Sequence, residues 1–457
     1  MIARKGYGMI FKRKIYDELL KWKEQMSGKY AILIEGARRI GKSTIVEEFA
    51  KNEYEDYLIL DFGKEGDAVR SIFENDLDDM NSFFRNLFLQ KGKDLTGKKA
   101  VIIFDEVQMF PRARHAIKYL VEDGRYDYIE TGSLIRIKKN VRNIIIPSEE
   151  HSVKMYPMDF EEFLWAQDDT ITCSIIRDAF ISGKPLGDDA HRKIMQRFRT
   201  YMVVGGMPQA VSAFVDGKSY QQIDDIKQEI LKLYENDLKK YDDEEKENAS
   251  LIFSTIPKQL NDHGAHFFFS EVDKNARYKN YVDSVSFVSE AMIGNLCANV
   301  TSPDILLEQF ADKSNFKLYM GDTGLLISMV MRTGEDRGLL YRSLIFDKLG
   351  TNQGAIIENI VAQMLTANGH DLFFHEYMYR PEESENEKKY EIDFLLSREK
   401  KLSPIEVKSS GYQTHKSFDY FIKKYPIKVG ERFILYPKDQ RCENGIRYLP
   451  LYMTMCL

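Results

Sequence analysis

The segment that decides the fold is Ala31-Ile-Leu-Ile-Glu-Gly36-Ala-Arg-Arg-Ile-Gly41-Lys42-Ser43-Thr44. An apolar run leads into the spacing G-x-x-x-x-G-K-S, and apolar residues at helical spacing follow it. Glycines let the backbone turn tightly enough for successive N–H groups to surround an anion, and a helix beginning there adds the positive end of its dipole. The segment therefore predicts a strand, a phosphate-binding loop and a helix.

This loop predicts a binding site for ATP with Mg²⁺. We expect Lys42 to reach the β- and γ-phosphates and the Ser43 hydroxyl to ligate Mg²⁺. An ordinary glycine-rich turn between a strand and a helix is the alternative, which the order of the elements disfavours. The predicted nucleotide-binding residues are Gly36, Ala37, Arg38, Arg39, Ile40, Gly41, Lys42, Ser43 and Thr44.

A second apolar stretch, Val101-Ile-Ile-Phe104, ends in Asp105 and Glu106. In a parallel sheet covered by helices on both faces, the central strands are apolar throughout and ligands collect at their carboxyl ends. Asp105 is predicted to hold Mg²⁺ through its water shell, and Glu106 to polarise the water that attacks the γ-phosphate. Solvated carboxylates at a strand end are the alternative, but the loop upstream favours a Walker B strand.

A third strand is predicted in the stretch Tyr126-Asp-Tyr-Ile129-Glu-Thr131-Gly132-Ser133, which ends in small hydroxyl residues. Either Thr131 or Ser133 is a candidate to orient the attacking water, as the sensor residue of AAA-type ATPases does. A Thr-Gly-Ser turn that caps the next element is the alternative interpretation.

Length and composition indicate a large soluble chain with several domains. The 457 residues exceed what one hydrophobic core usually supports. A net charge of −6 excludes a basic nucleic-acid binder as a description of the whole molecule. We recognise no signal-peptide core and no run of about 20 apolar residues, so we expect a cytoplasmic protein that does not interact with a membrane. The scattered cysteines predict reduced thiols: Cys173, Cys297, Cys442 and Cys456.

The pattern along the chain predicts an α/β fold. Strands near residues 31–36, 57–62, 100–105 and 127–132 alternate with helices, so residues 1–166 are expected to form a P-loop NTPase domain with a parallel sheet. Residues 167–247 are mainly helical, with a turn at Gly205 and Gly206, and are assigned to a lid or linker. Residues 248–330 are assigned to a winged-helix-like module in which Val285–Ala291 is expected to be strand-like.

Acidic residues and one lysine recur in the C-terminal region at spacings that predict a second site. Glu358 lies in a helical stretch, Asp393 in a predicted strand, and Glu406 and Lys408 in the next strand. Because residues two apart on a strand project to one face, Glu406 and Lys408 are expected to meet Asp393 there. Carboxylates can bind Mg²⁺ and activate a water against a phosphodiester, while a lysine helps to hold or deprotonate that nucleophile. The predicted metal ligands are Glu358, Asp393 and Glu406, and the predicted catalytic residues are Asp393, Glu406 and Lys408.

This arrangement resembles the PD-(D/E)xK nuclease core. The apolar residues beside Asp393 and Glu406 support the strand context. An E-x-K triplet on a solvated strand face is the alternative, and such a core can also persist as a binding platform that does not cleave. On this resemblance, residues 331–457 are assigned to a nuclease-like α/β domain.

Taken together, these motifs resemble a bacterial and archaeal family of AAA-type ATPases whose P-loop domain is joined to a C-terminal domain of unknown function with a nuclease-like core. The similarity covers nearly all of the chain. The resemblance implies ATP binding and hydrolysis, with a nucleic-acid or protein target that is not established, and it is compatible with an oligomer. Further matching segments are Tyr156–Leu164, Gly205–Pro208, Tyr319–Leu325, Glu358–Asn359 and Glu391–Phe394.

One departure from the relatives concerns the segment Pro147-Ser-Glu-Glu-His-Ser-Val-Lys154. Many relatives carry a Gly-Arg pair shortly before this strand, and the arginine is missing here. Arginine near the γ-phosphate neutralises transition-state charge. Substitutes in cis or from a neighbouring subunit are Arg112, Arg114, Arg136 and Arg142.

Two functions remain in play. The first is an ATPase coupled to a metal-dependent nuclease-like domain that cleaves or binds DNA or RNA. The second is a regulatory P-loop switch whose C-terminal domain binds a protein partner without cutting. Net acidity favours the second function, and the intact set of Asp393, Glu406 and Lys408 favours the first.

Overall fold

The computed structural model describes residues 4–5, 8–133, 148–242, 248–261, 266–273, 278–331, 341, 343–344, 353–382, 386–398, 400–410, 414–426 and 428–457. The chain divides into two compact units. The first unit consists of Met1–Tyr156, Asp237–Asp243 and Glu290–Met292. The second unit consists of Pro157–Asn236, Glu244–Ser289 and Ile293–Leu457.

A five-stranded sheet in which all neighbours are parallel forms the centre of the first unit. We call Ala31–Glu35 the loop strand, Ala100–Asp105 the acid strand and Asp127–Gly132 the hydroxyl strand. The hydroxyl strand lies between the other two, so the carboxyl ends of all three meet at one edge of the sheet. Across the sheet the order is Asp56–Asp61, Ala100–Asp105, Asp127–Gly132, Ala31–Glu35 and Glu150–Lys154.

Apolar residues explain why these strands form the centre of the unit. The acid strand is buried along its whole length, as expected for a strand with helices on both faces. Phe62 packs edge-on against Phe73 and Phe104, with ring centroids 5.6 and 5.5 Å apart. The predicted parallel-sheet α/β fold is confirmed. The helices of this unit are Ile15–Gln25, Lys42–Glu53, Asp67–Asn75, Met80–Lys91 and Pro111–Asp123, and a short antiparallel ribbon pairs Arg4–Lys5 with Gly8–Met9.

The second unit begins with helices, in agreement with the predicted helical region. The turn expected at Gly205 and Gly206 is present between two of them. Gly206 N donates to Asp322 Oδ2 at 2.6 Å, and a Cβ atom on Gly205 would lie 2.4 Å from Asp322 Oδ1. The helices are Phe160–Trp165, Ile171–Ser182, Asp188–Val204, Pro208–Val215, Tyr220–Tyr241, Asn248–Asn261 and Tyr278–Glu290, and the last residues of Tyr220–Tyr241 belong to the first unit.

The strand-like conformation expected for Val285–Ala291 is wrong, because most of this stretch belongs to the helix Tyr278–Glu290. Tyr281, Val285 and Val288 are buried in this helix. Their spacing of four and three residues marks one helical face, and a short apolar run does not distinguish a buried helix from a strand.

Two further sheets build the rest of the second unit. One has the strand order Lys388–Ile392, Leu372–Tyr379, Gly294–Val300 and Ala311–Met320. The other has the order Phe394–Arg398, Lys401–Val407, Phe433–Tyr436, Ile446–Pro450 and Arg441–Glu443. The chain passes from the first of these sheets to the second at Asp393. Further α-helices in the described part of this unit are Thr323–Val330, Gln353–Ala367 and Lys416–Lys424.

The division into four domains, with a lid and a winged-helix-like module, stays a prediction. Within the described ranges, no helix combines the length and the apolar character needed to cross a bilayer.

Candidate functional sites

The segment that connects the loop strand to the helix Lys42–Glu53 requires glycine at two positions, Gly36 and Gly41. A Cβ atom at Gly36 would lie 2.4 Å from the carbonyl oxygen of Met155. Gly41 has a φ of 95° immediately before the helix, a conformation that L side chains rarely adopt. Ser43 and Thr44 are exposed in the first turn of that helix.

The ammonium group of Lys42 is buried against this loop. Its Nζ donates to the carbonyl oxygens of Gly36 at 2.8 Å and Ala37 at 2.9 Å. Burial lowers the pKa of Lys42 to about 8, and the nearby Glu106 and Asp105 oppose that shift. Among the described residues the ammonium has no carboxylate in ion-pair contact, so its positive charge is bonded to neutral groups.

Asp105 joins the three elements whose ends meet at this edge of the sheet. Ser43 Oγ donates to Asp105 Oδ1 at 2.8 Å, and Thr131 Oγ1 donates to the same oxygen. The hydroxyl and the carboxylate predicted to hold Mg²⁺ are therefore brought together. They line a pocket of about 500 Å³ whose other charged residues are Glu47, Asp61, Lys64, Glu65 and Lys91.

Glu106 follows the acid strand in a left-handed conformation, with a φ of 55°. Its backbone N–H donates to Thr131 Oγ1 at 3.4 Å, and its carboxylate accepts from Gln108 Nε2. Gln108 Nε2 also donates to Ser133 Oγ at 3.2 Å. A non-glycine residue at positive φ is conformationally strained, and such strain is concentrated at functional sites. The two candidate sensors thus differ, since Thr131 contacts Asp105 and Ser133 contacts the residue that holds Glu106.

Two arginines support the loop through contacts that the sequence analysis missed. Arg13 donates to the carbonyl oxygens of Ile40 at 2.8 Å and Tyr156 at 2.7 Å. Arg38 donates to both oxygens of Asp237, at 3.1 and 2.9 Å. Arg38 and Asp237 are 199 positions apart, and no local signal in the sequence connects them.

Of the arginines considered as substitutes for the missing Gly-Arg pair, Arg136 and Arg142 lie outside the described residues. Arg114 is buried and makes a bidentate ion pair with Glu150, at 2.8 and 2.6 Å. Arg112 has no carboxylate partner in the described part of the chain. The guanidinium of Arg114 is therefore already held by a carboxylate, whereas that of Arg112 is not.

The C-terminal acidic cluster forms where the chain changes sheets at Asp393. Val407 N donates to Asp393 Oδ2 at 2.7 Å, and Lys408 Nζ donates to Glu406 Oε1 at 2.6 Å. Glu358 Oε2 accepts from the Tyr319 hydroxyl at 3.2 Å. The structure brings the four predicted residues into one cluster.

Lys317, which the sequence analysis missed, is buried in the same cluster. Its Nζ lies 2.5 Å from Glu391 Oε1 and 3.9 Å from Glu358 Oε2. Burial alone would lower the pKa of Lys317, but Glu358, Glu391 and Asp393 together raise it above its usual value. A lysine inside the apolar strand segment Phe316-Lys-Leu-Tyr319 is the signal that could have revealed it.

The carboxyl groups of the cluster bind protons more tightly than isolated ones. Burial raises the pKa of Asp393 well above its usual range, and Glu406 and Glu358 reinforce the shift. Burial also raises the pKa of Glu406, against the opposing effect of Lys408. Glu406 Oε2 is buried and accepts no hydrogen bond from any described residue. The cluster therefore has capacity for a further cation or proton.

Three protein families match separate ranges of the chain. Residues 28–164 match a family described as an AAA domain. Residues 195–336 and 353–453 match two families described as domains of unknown function, DUF8612 and DUF4143. No curated protein matches the chain. The C-terminal matches assign no nuclease activity.

Similar solved structures share little sequence with this chain. For C. elegans PCH-2 the identity is 12% and the TM-score 0.25, with 44% of this chain and 61% of PCH-2 covered. For a Thermotoga maritima RuvB mutant the identity is 11% and the TM-score 0.28, with 67% and 92% covered. For Drosophila ORC bound to DNA the identity is 11% and the TM-score 0.23, with 70% and 90% covered. This chain thus spans about three fifths of PCH-2.

The geometry and the family match agree on the N-terminal part of the chain. The glycine-dependent loop, the buried Lys42 and the hydrogen-bonded Ser43 and Asp105 all fall within the matched range. Residues 28–164 are therefore similar to an AAA domain in sequence, and the phosphate-binding loop and its acidic partner lie in this range.

Proposed function

We propose that the AAA-type domain binds ATP with Mg²⁺ and hydrolyses it. The observation that carries the proposal is Lys42, a buried ammonium that, among the described residues, is bonded to neutral carbonyl oxygens and to no carboxylate. A buried charge is costly unless it is paired, and a polyphosphate supplies the missing negative charge. The residues present fit the nucleotide, because the loop at Gly36 leaves no room for a side chain and its N–H groups can surround phosphate.

The proposed roles follow from where each side chain lies. Lys42 contacts the β- and γ-phosphates, and the backbone from Gly36 to Thr44 holds the phosphate chain. Ser43 and Asp105 are the residues that would hold Mg²⁺, which supplies charge neutralisation at the phosphates when it is bound.

Water activation is assigned to Glu106, whose carboxylate accepts a hydrogen bond from the attacking water. Gln108 positions Glu106 by donating to its carboxylate. Thr131 Oγ1 donates a hydrogen bond to Asp105 Oδ1, so we assign it to orienting that carboxylate. Ser133 Oγ accepts a hydrogen bond from Gln108, so we assign Ser133 to positioning Gln108 and, through it, Glu106.

Phosphate release from ATP by the full-length protein tests the proposal. The Lys42→Ala variant should lose turnover by about 10²–10³-fold or more, because the phosphates lose their buried cation. Lys21→Ala is the control, since Lys21 pairs with Glu18 at the surface of the same unit, and it should keep wild-type turnover. Equal rates in Lys42→Ala and wild type would overturn the proposal.

The same assay addresses the missing arginine. If a neighbouring subunit supplies the arginine, the rate per chain rises with protein concentration. Turnover that is fast and independent of concentration assigns the role to an arginine in cis, for which Arg112 is the described candidate without a carboxylate partner.

A second proposed function is binding or metal-dependent cleavage of DNA or RNA at the acidic cluster. Glu406 Oε2 is buried near Asp393 and has no hydrogen-bond donor in the described part of the chain, which favours a cation there. Lys317 supports the alternative of a module that binds a partner without cleaving, because its ammonium already neutralises part of the cluster.

Incubation of the protein with ATP, Mg²⁺ or Mn²⁺ and mixed nucleic acids separates these functions. A nuclease cleaves the strands, and Asp393→Asn abolishes cleavage while ATP hydrolysis continues. A non-cleaving module leaves the strands intact at every metal concentration, and nucleotide-dependent association with a partner is then the remaining readout.

A further inference from the structure

Two glutamates face each other directly across a pair of strands in the second unit. Glu376 and Glu391 are register partners on the antiparallel strands Leu372–Tyr379 and Lys388–Ile392. Like charges at directly opposite positions destabilise a strand pair, so a group placed between the two side chains that contacts both carboxylates stabilises the pair. His266 occupies this place, with Nε2 2.6 Å from Glu391 Oε2 and 3.4 Å from Glu376 Oε1.

The other carboxylate oxygen of each glutamate accepts a hydrogen bond from a residue outside this set of three. Asn315 Nδ2 donates to Glu376 Oε2 at 2.9 Å, and Lys317 Nζ donates to Glu391 Oε1 at 2.5 Å. Outer partners of this kind fix the direction of metal-binding carboxylates. Glu376 Oε1 and Glu391 Oε2 are thereby left pointing to the imidazole. One ligand atom from each of the three residues lies within 4.8 Å of the other two.

We propose that His266, Glu376 and Glu391 form a binding site for a divalent transition-metal ion such as Zn²⁺. One imidazole nitrogen and two carboxylate oxygens are a donor set that such ions accept. Two ligands at about 2.1 Å from a tetrahedral Zn²⁺ are roughly 3.4 Å apart, which matches the distance from His266 to Glu376. The shorter distance to Glu391 has to open by about 0.8 Å on the same geometry.

The proposed metal site opens into a pocket, and one lysine competes with the metal ion for a ligand atom. All three residues line a pocket of about 690 Å³, together with the aromatic residues Phe267, Phe268 and Phe269. The pocket leaves the remaining coordination positions open to water or to a ligand. Lys389 also pairs with Glu376 Oε1, but its side chain is 61% exposed and can move into solvent when the metal binds.

Calorimetric titration of the chelator-treated full-length protein with ZnCl₂ tests the site. Wild type should bind Zn²⁺, and His266→Ala should weaken that binding by about tenfold or more because one of three protein ligands is lost. Glu376→Gln keeps the size of the side chain and should weaken binding in the same way, so a folding defect in one variant leaves the other as the test.

His415→Ala is the matched control. Among the described residues, His415 Nδ1 pairs with one carboxylate, Asp419 Oδ1 at 3.0 Å, so this variant should bind Zn²⁺ as wild type does. Asp393→Asn and Lys42→Ala should also keep wild-type affinity, which separates this site from the acidic cluster and from ATP binding. Unchanged affinity in both His266→Ala and Glu376→Gln, or an equal loss in His415→Ala, would overturn the proposal.

Discussion

The loop site of the first unit and the acidic cluster of the second unit each bury a lysine near carboxyl groups, but with opposite consequences. Lys42 is bonded to neutral carbonyls, and burial lowers its pKa to about 8. Lys317 is bonded directly to Glu391, and the carboxylates around it outweigh burial and raise its pKa. Lys42 has no carboxylate in ion-pair contact among the described residues and suits an anionic ligand, whereas Lys317 is itself the counter-ion of the carboxylates around it.

The largest effect is expected from removing the proposed base. Glu106→Gln should lower ATP turnover by about 10²–10⁴-fold, because the amide cannot accept the proton of the attacking water. ATP binding should persist, since Lys42 and the loop remain. Phosphate-release assays measure turnover, and equilibrium binding of a labelled nucleotide measures affinity. Parallel losses of binding and turnover would contradict the assigned role.

Loss of the internal counter-ion in the acidic cluster should destabilise the fold. Lys317→Met should lower the free energy of unfolding by about 3–5 kcal/mol, because it leaves buried carboxylates without their cation. The loss should shrink as pH falls, since the carboxyls with raised pKa then become neutral. Urea denaturation at several pH values measures it.

Lys389→Met is the control for that comparison, because Lys389 pairs with Glu376 from an exposed position. Exposed ion pairs contribute little, so this variant should unfold close to wild type. If both variants unfold alike, Lys317 does not act as the internal counter-ion and the contrast with Lys42 fails.

ATP affinity should depend on pH through Lys42. The free protein has a Lys42 pKa of about 8, and phosphate binds the protonated form. Affinity should therefore be nearly constant below pH 7 and should fall about tenfold per pH unit above pH 8. Calorimetry in buffers of different ionisation enthalpy should show proton uptake on binding near pH 8. Constant affinity up to pH 9.5 would mean that the ammonium is not buried as described.

The smallest effect separates the two sensor candidates. Ser133→Ala should lower kcat roughly tenfold and leave the Mg²⁺ requirement unchanged, because Ser133 acts on the Glu106 side through Gln108. Thr131→Val should raise the Mg²⁺ concentration needed for half-maximal turnover, because Thr131 contacts Asp105. The reverse pattern would exchange the two assignments.

Contiguous motifs explain why the loop site was largely predictable. Lys42 and Ser43 belong to one strand-loop-helix segment, and Asp105 and Glu106 end a strand whose apolar run is visible in the sequence. The pairing of Arg38 with Asp237 was not predictable, because only the folded chain brings them together. Lys317 was missed for a related reason, since its partners come from other strands and a helix.

The second unit was predicted less well where the pattern was ambiguous. The meeting of Asp393, Glu406 and Lys408 followed from strand alternation and is present. Val285–Ala291 was misassigned because a short apolar run has no clear period. His266 was missed because it precedes three phenylalanines and carries no metal-like spacing to another ligand.

The position of the hydroxyl strand sets the width of the nucleotide site. Neighbouring strands lie about 4.8 Å apart, so inserting one strand places the ends of the loop strand and the acid strand roughly 10 Å from each other. With the two outer strands adjacent, these ends would be separated by one strand spacing, about 4.8 Å. The gap of two strand spacings gives Thr131 of the hydroxyl strand its place between these ends, from which its hydroxyl reaches Asp105.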